Sequence, residues 1–250
     1  MTERTSPLFS LSWAGTTDVG HVRSINQDAY YADQGLFILA DGMGGHTAGE
    51  VASSLAIKSV RTFLESKRPS SLALDVEKSL LQAARIANED ILEDAEQHEE
   101  HGDMGTTLVI AWVVGAYLWY THVGDSRLYR WDGASKVLSR LTEDHTLVAE
   151  LVAKGYVLPE AAEKHPYRNV LSRCLGRPDL EVGLVQKIPL HAQDRYLLCS
   201  DGLTKEVPEQ EIAQILLTYP DDQKAVEALV HQANEYGGRD NITVVLLTIR

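Results

Sequence analysis

Between residues 107 and 131 the chain passes through three short apolar runs, Thr107–Val114, Ala116–Val123 and Ser126–Trp131. Only Gly115 and then Gly124-Asp125 separate them. A parallel crossover needs about a dozen residues, so runs this close together must pair antiparallel through tight turns. Asp132-Gly133 marks another hairpin-type turn before Lys136–Leu138. Upstream, Leu11–Ala14 reads as a short strand. Gly35–Ala40 (GLFILA) reads as a buried one that stops abruptly at Asp41-Gly42. Further strands are expected at Glu181–Val185, Arg195–Ser200 and Ile242–Ile249.

Helical periodicity appears in two separate pairs. A first helix follows Thr47 and Glu50, which form a T-x-x-E capping pattern ahead of Val51, Leu55, Phe63 and Leu64. A second runs from about Leu72 to Ala95, with Leu80, Ala84, Ala87 and Ile91 on one face. The other pair covers about Glu209–Leu217 and Asp222–Glu235, and short helical pieces are expected within 146–176. Strands and helices do not alternate, so the expected class is α+β rather than a doubly wound sheet. No linker or repeat divides the chain, which predicts a single domain over residues 1–250.

Charge narrows the function. Thirty-six Asp and Glu face 23 Lys and Arg, a formal charge of -13 that argues against nucleic-acid partners. Residues 89–100 hold seven carboxylates and no Lys or Arg, which reads as a solvated helix face and loop. Cys174 and Cys199 fit buried thiols better than a disulfide. The first residues lack the apolar core of a signal peptide, and the longest apolar stretch is too short to span a membrane. A cytoplasmic protein without a membrane partner is expected.

Four acids stand at the tips of apolar strands. Asp41 follows GLFILA, Asp125 follows YLWYTHVG, Asp201 follows YLLCS, and Asp240 with Asn241 precedes ITVVLLTI. Asp28 lies in the turn-like segment RSINQDAY. A single Asp beside Gly commonly just forms a turn. If these tips converge, however, four or five negative charges meet and require cations. Oxygen donors of this kind suit Mg²⁺ or Mn²⁺. Spacing alone leaves both readings open. There is no CxxC or HExxH zinc pattern, and DGMGGHTAG lacks the Lys of a P-loop. His46, in that glycine-rich turn, is a candidate neighbour of the site.

The ordered blocks RSINQD (23–28), DGMGGH (41–46), GTT (105–107), GDSR (124–127), LTEDH (141–145), HPYRN (165–169), SDGL (200–203) and RDNIT (239–243) resemble the metal-dependent Ser/Thr protein phosphatases of the PP2C (PPM) family, in its compact bacterial form. The likeness spans roughly residues 11–249. It implies a four-layer αββα sandwich, two antiparallel sheets flanked by helix pairs, with Mn²⁺ or Mg²⁺ at one end. By motif, Asp41 would bridge two ions and the Gly42 carbonyl would bind one. Asp201 and Asp240 would hold the first ion and Asp28 the second. Asp125 would join Asp201 at a weaker third. Arg23 would grip the substrate phosphate, and Asn241 would support the ligands from behind. The implied activity is hydrolysis of phosphoserine and phosphothreonine on proteins by a metal-activated water, opposing Ser/Thr protein kinases, by a monomer. Residues 146–170 would form a flap beside the site. Animal members carry His where this chain has Met43, and that His is assigned there as general acid. Methionine cannot donate a proton, so this role would pass to another group, His46 among them.

Overall fold

The run GLFILA is apolar at every position because both of its faces are covered. In the computed structural model, which describes residues 9–45, 47–67, 75–162 and 164–250, it forms most of strand β3 (Leu36–Met43). Leu36, Ile38 and Ala40 face a helical layer, while Phe37 and Leu39 face a second sheet.

The first sheet runs in the order β2 (Asp28–Asp33), β3, β5 (Leu108–Val114), β6 (Tyr117–Val123), β9 (Gln186–Pro189). The short β4 (Gly105–Thr106) pairs with the end of β3. The second sheet runs β1 (Leu11–Asp18), β11 (Ile242–Ile249), β10 (Arg195–Cys199), β7 (Arg127–Trp131), β8 (Leu138–Arg140). The named pairings are antiparallel. Between the sheets, Phe37, Leu39 and Val109 meet Leu128, Leu198 and Val245.

Helices α1 (Ala48–Lys67) and α2 (Val76–Gln97) cover the outer face of the first sheet through Ala52, Ala56, Val60, Leu80, Ala84 and Ile91. Helices α6 (Glu209–Thr218) and α7 (Asp222–Glu235) cover the second through Ile212, Leu216, Val226 and Leu229. The result is the expected four-layer αββα sandwich. Two short helices, α3 (Leu147–Ala153) and α4 (Pro159–Ala162), lie in the expected flap, and α5 (Asp201–Thr204) follows β10 directly.

Some boundaries differ from expectation. The strand expected at Lys136–Leu138 starts later, at Leu138. Asp132 Oδ1 accepts from the amides of Ala134 and Ser135, and Lys136 sits at φ +63°, so the turn is longer than Asp132-Gly133. Glu181–Val185 is not a strand. Its path is held by Thr121, whose hydroxyl donates to the Gly183 carbonyl, and pairing with β6 begins only at Gln186. Asp28 opens β2 rather than sitting in a turn. The second helix begins at Val76, capped by the Asp75 side chain; the first residues of its expected span, 72–74, lie outside the described residues. Both cysteines are buried and free. No helix among the described residues is long and apolar enough to cross a membrane.

Candidate active site

Antiparallel pairing explains how acids far apart in sequence meet. In the first sheet, Asp28 and Asp41 are direct cross-strand partners. In the second, β10 and β7 each lie antiparallel to a neighbour in the order β11, β10, β7. Residues just after β10 therefore lie beside those just before β11 and β7. These are Asp201, Asp240 and Asp125. Thus all five acids singled out from the sequence converge at one end of the sandwich, where the charge of at least one other acts on Asp28, Asp41, Asp125 and Asp201.

Hydroxyls stitch the two sheets together there. Ser200 Oγ donates to Asp28 Oδ2 at 2.7 Å and accepts from the Thr243 amide at 2.9 Å. Thr107 Oγ1 lies 2.7 Å from Ser126 Oγ and accepts from the Asp41 amide at 3.0 Å. The Asp41 carbonyl accepts from the Thr107 amide and the Thr106 hydroxyl, both at 2.9 Å. Asn241 is a buried latch. Its Oδ1 accepts from the Gln27 amide at 2.8 Å, and its Nδ2 donates to the carbonyls of Val19 and Ile25 at 3.0 Å. It ties the loop that carries Arg23 to the start of β11.

Two glycines permit this closeness. A Cβ on Gly42 would stand 2.0 Å from the Gly49 carbonyl oxygen, and one on Gly202 would stand 2.0 Å from that of Asn241. Both contacts are with backbone, so neither can be relieved by a side-chain rotation. Gly202→Ala is therefore expected to push Asp201 away from Asp240. Mn²⁺ affinity, read by titration calorimetry, should fall at least about tenfold, on the scale seen when a ligand's supports are lost. Unchanged affinity would show that the strand tips tolerate the displacement.

The electrostatics are those of a cage that needs cations. Burial, then the charges of Asp28, Asp201, Asp125 and Asp240, hold the Asp41 carboxyl well above the usual range. Burial pushes Asp28 up to about 6 against the opposing hydrogen bonds from Thr243 and Ser200. Burial and Asp201 push Asp125 up to about 7. Asp201 is raised by burial too, although Lys205 opposes this. Asp28 Oδ1 is buried and has no hydrogen-bond partner, as expected of an atom kept for a metal. The donors are all oxygen, so the set fits Mg²⁺ or Mn²⁺ and not a thiolate or imidazole metal.

Two cations of the chain itself stand at the rim. Arg23 forks onto Asp240, with Nε 2.9 Å from Oδ1 and an η-nitrogen 3.0 Å from Oδ2. Lys205 pairs with Asp201 and lies 3.9 Å from Asp240. Lys205, Ser200 and Thr243 are absent from the sequence-derived site. The four-residue spacing from Asp201 to Lys205 at a helix start was the available signal for the lysine. Arg127 clamps Asp144 with two bonds of 2.9 and 2.7 Å, which pairs the GDSR block with LTEDH. The Met43 backbone pairs with Gly105 at the edge of the cage. His46 lies outside the described residues.

Residues 19–246 match the model of the protein phosphatase 2C family. The serine/threonine phosphatase stp of Listeria monocytogenes is 38% identical over 237 residues, 92% of this chain and 93% of that protein. The serine/threonine protein phosphatase PstP of Mycobacterium tuberculosis is 39% identical over 240 residues, 96% of this chain but 45% of its own length. A crystal structure of PstP superposes with a TM-score of 0.88 at 37% identity, covering 96% of this chain and 99% of that one. The PstP catalytic domain in complex with two manganese ions gives 0.86 at 36%, with the same two coverages. A match this long, over a fold whose strand tips converge in this way, places the chain in the protein phosphatase 2C family.

Proposed function

We propose that the five-carboxylate cage and Arg23 carry the reaction of this protein serine/threonine phosphatase, the metal-dependent hydrolysis of phosphoserine and phosphothreonine on proteins. The observation that supports this reading is the convergence of Asp28, Asp41, Asp125, Asp201 and Asp240, with one buried Asp28 oxygen left unpartnered. Asp41 would hold both ions, with the Gly42 carbonyl on one of them. Asp201 and Asp240 would hold the first ion and Asp28 the second. Asp125 would join Asp201 at a weaker third. Two Mn²⁺ or Mg²⁺ ions, when bound, would supply an acidified water and positive charge against the phosphate.

The chain's own residues do the rest. The carboxylates position the ions and do not attack. Arg23 exchanges the Asp240 carboxylate for phosphate oxygens, two of which offer a similar two-point target to its guanidinium. Asn241 keeps the Arg23 loop in place through its three backbone bonds. Met43 cannot protonate the leaving alkoxide, so that proton must come from elsewhere; His46, three positions on in the sequence, is the candidate side chain.

Residues 1–250 form one phosphatase domain, since the site draws on both ends of the chain. We assign substrate selection to the flap at 146–170. Its stems are anchored beside the cage, where the His145 amide donates to the Gly124 carbonyl and Leu175 pairs with Thr106. Its outer surface shows Tyr156, Leu158 and Tyr167. Exchanging this segment for that of a relative should alter preference among phosphopeptides, and unchanged preference would count against the assignment. The partners are phosphoproteins, with a Ser/Thr protein kinase acting in opposition. We place the enzyme in the cytoplasm as a monomer.

The primary test is hydrolysis of a phosphothreonine peptide. Activity should require Mn²⁺ or Mg²⁺, vanish with EDTA and return on adding metal; full activity under EDTA would overturn the mechanism. Lys205→Met removes a competing positive charge while keeping the length of the side chain. The half-saturating Mn²⁺ concentration should fall several-fold, and an unchanged value would show that Lys205 leaves the cage when metal binds.

A further inference from the structure

At the far end of α2, the acidic run 89–100 closes on two histidines, in a group separate from the carboxylate cage. His101 Nδ1 lies 2.5 Å from Asp94 Oδ1, and His98 Nδ1 lies 3.4 Å from the same oxygen. The two imidazole rings are 5.1 Å apart. One ligand atom from each of the three residues falls within 4.8 Å of the others. We propose that Asp94, His98 and His101 form a second metal site, for a first-row transition ion of the Zn²⁺ type, distinct from the Mn²⁺ or Mg²⁺ cage.

Geometry supports this. Nitrogen and oxygen ligands around a tetrahedral Zn²⁺ stand about 3.3 Å apart, given metal–ligand bonds of roughly 2.0–2.1 Å. The His98–Asp94 pair already has that spacing, and the His101–Asp94 pair needs to open by roughly 1 Å. The three residues are preplaced by the backbone. The His98 amide bonds back to the Asp94 carbonyl, and His101 follows on the 3-10 turn Glu99–His101 that caps the helix. Three protein ligands leave a fourth position for water.

The surrounding charge favours a cation. The last turn of α2 has no basic residue, so its negative end favours a cation; the Asp94 carbonyl there is met by the His98 amide and, at 3.0 Å, by His98 Nδ1, which would turn from it to bind metal. Six further carboxylates, Glu89, Asp90, Glu93, Glu96, Glu99 and Glu100, lie within the same dozen residues. Two imidazoles with one carboxylate select against Mg²⁺ and favour Zn²⁺, Ni²⁺ or Cu²⁺. The site is also linked to the catalytic strand. The His101 carbonyl accepts from the Met104 amide, and Gly105 pairs directly with Met43. Cross-linking α2 to this turn should therefore stiffen the approach to β4.

The experiment is Zn²⁺ titration of the full chain in saturating Mg²⁺, which fills the oxygen cage but competes poorly for imidazole. Wild type should bind one more Zn²⁺ than the His98→Ala/His101→Ala variant, or bind it at least about tenfold more tightly. Asp94→Asn, which keeps the side-chain shape, should show the same loss. Co²⁺ should give intense visible absorption bands with wild type and not with either variant. Zn²⁺ should raise the thermal midpoint of wild type alone. Phosphatase activity in Mn²⁺ should be the same in wild type and the double variant. Equal Zn²⁺ affinity in wild type and either variant, or a Co²⁺ spectrum that the variants do not change, would overturn the site.

Discussion

Asp41→Asn should lower Mn²⁺-dependent turnover of a phosphothreonine peptide by about a thousandfold or more, equivalent to several kcal/mol of lost charge stabilisation. Asn preserves the shape of the side chain and one carbonyl oxygen, so the change removes charge and little else. Asp41 is the acid on which the others converge, since Asp28, Asp201, Asp125 and Asp240 all act on it. Its main chain is fixed by Thr106 and Thr107, so the strand tip should stay in place in the variant. Asp125→Asn should cost much less turnover, because the place proposed for Asp125 is at a weaker third ion. Calorimetry should show lost Mn²⁺ binding in Asp41→Asn, with an unchanged circular dichroism spectrum. Turnover within about tenfold of wild type would overturn the bridging role proposed for Asp41.

The legible parts of the fold were those where local pattern and tertiary demand agreed. The run GLFILA and, apart from Thr243 and Thr248, the closing ITVVLLTI are apolar because both faces of β3 and β11 are buried. The tight turn at Gly115 pairs β5 with β6 as expected, but Gly124-Asp125 carries the chain from the first sheet to the second, so β6 and β7 do not pair as their close spacing suggested. The strand β2 was hidden because its sequence, DAYYAD, is half-buried at every position and shows no alternation. Glu181–Val185 looked like a strand because Val182 and Val185 are apolar, yet they pack on the helical core from an irregular segment. Pairing, not composition, decided that case.

Four carboxylates of the cage were legible because each stands at an end of an apolar strand, whereas Asp28, at the head of the half-buried β2, was legible only by motif. Their supports were not. Ser200 and Thr243 are ordinary strand-end residues in sequence, and only the crossing of two sheets gives the Ser200 hydroxyl its bond to Asp28. Arg23 was legible by motif, but its fork on Asp240 arises from a long-range approach across 217 positions. The His98 and His101 pair matches neither CxxC nor HExxH, because its neighbour Asp94 lies upstream on the helix and not in a second His or Cys pair.

The same cage that supports catalysis should weaken the metal-free fold, and Asp125→Asn should reveal it. Asp125 is held at about 7 and Asp28 at about 6, against an ordinary 3.8. Between those values the folded protein keeps protons that the unfolded chain releases. The stabilising contribution is therefore complete below about pH 4 and is lost as pH rises through 6 and 7. In EDTA, wild type should lose stability across this window relative to Asp125→Asn, which cannot ionise there. The gap should reach a few kcal/mol by pH 7.5. Mn²⁺ reverses the order, because it binds only the assembled and deprotonated cage and stabilises wild type more as pH rises. Urea unfolding of both proteins at pH 5 and pH 7.5, with EDTA and with Mn²⁺, reads the effect directly. A wild-type-minus-variant difference that does not change with pH in EDTA would mean that Asp125 carries no such strain.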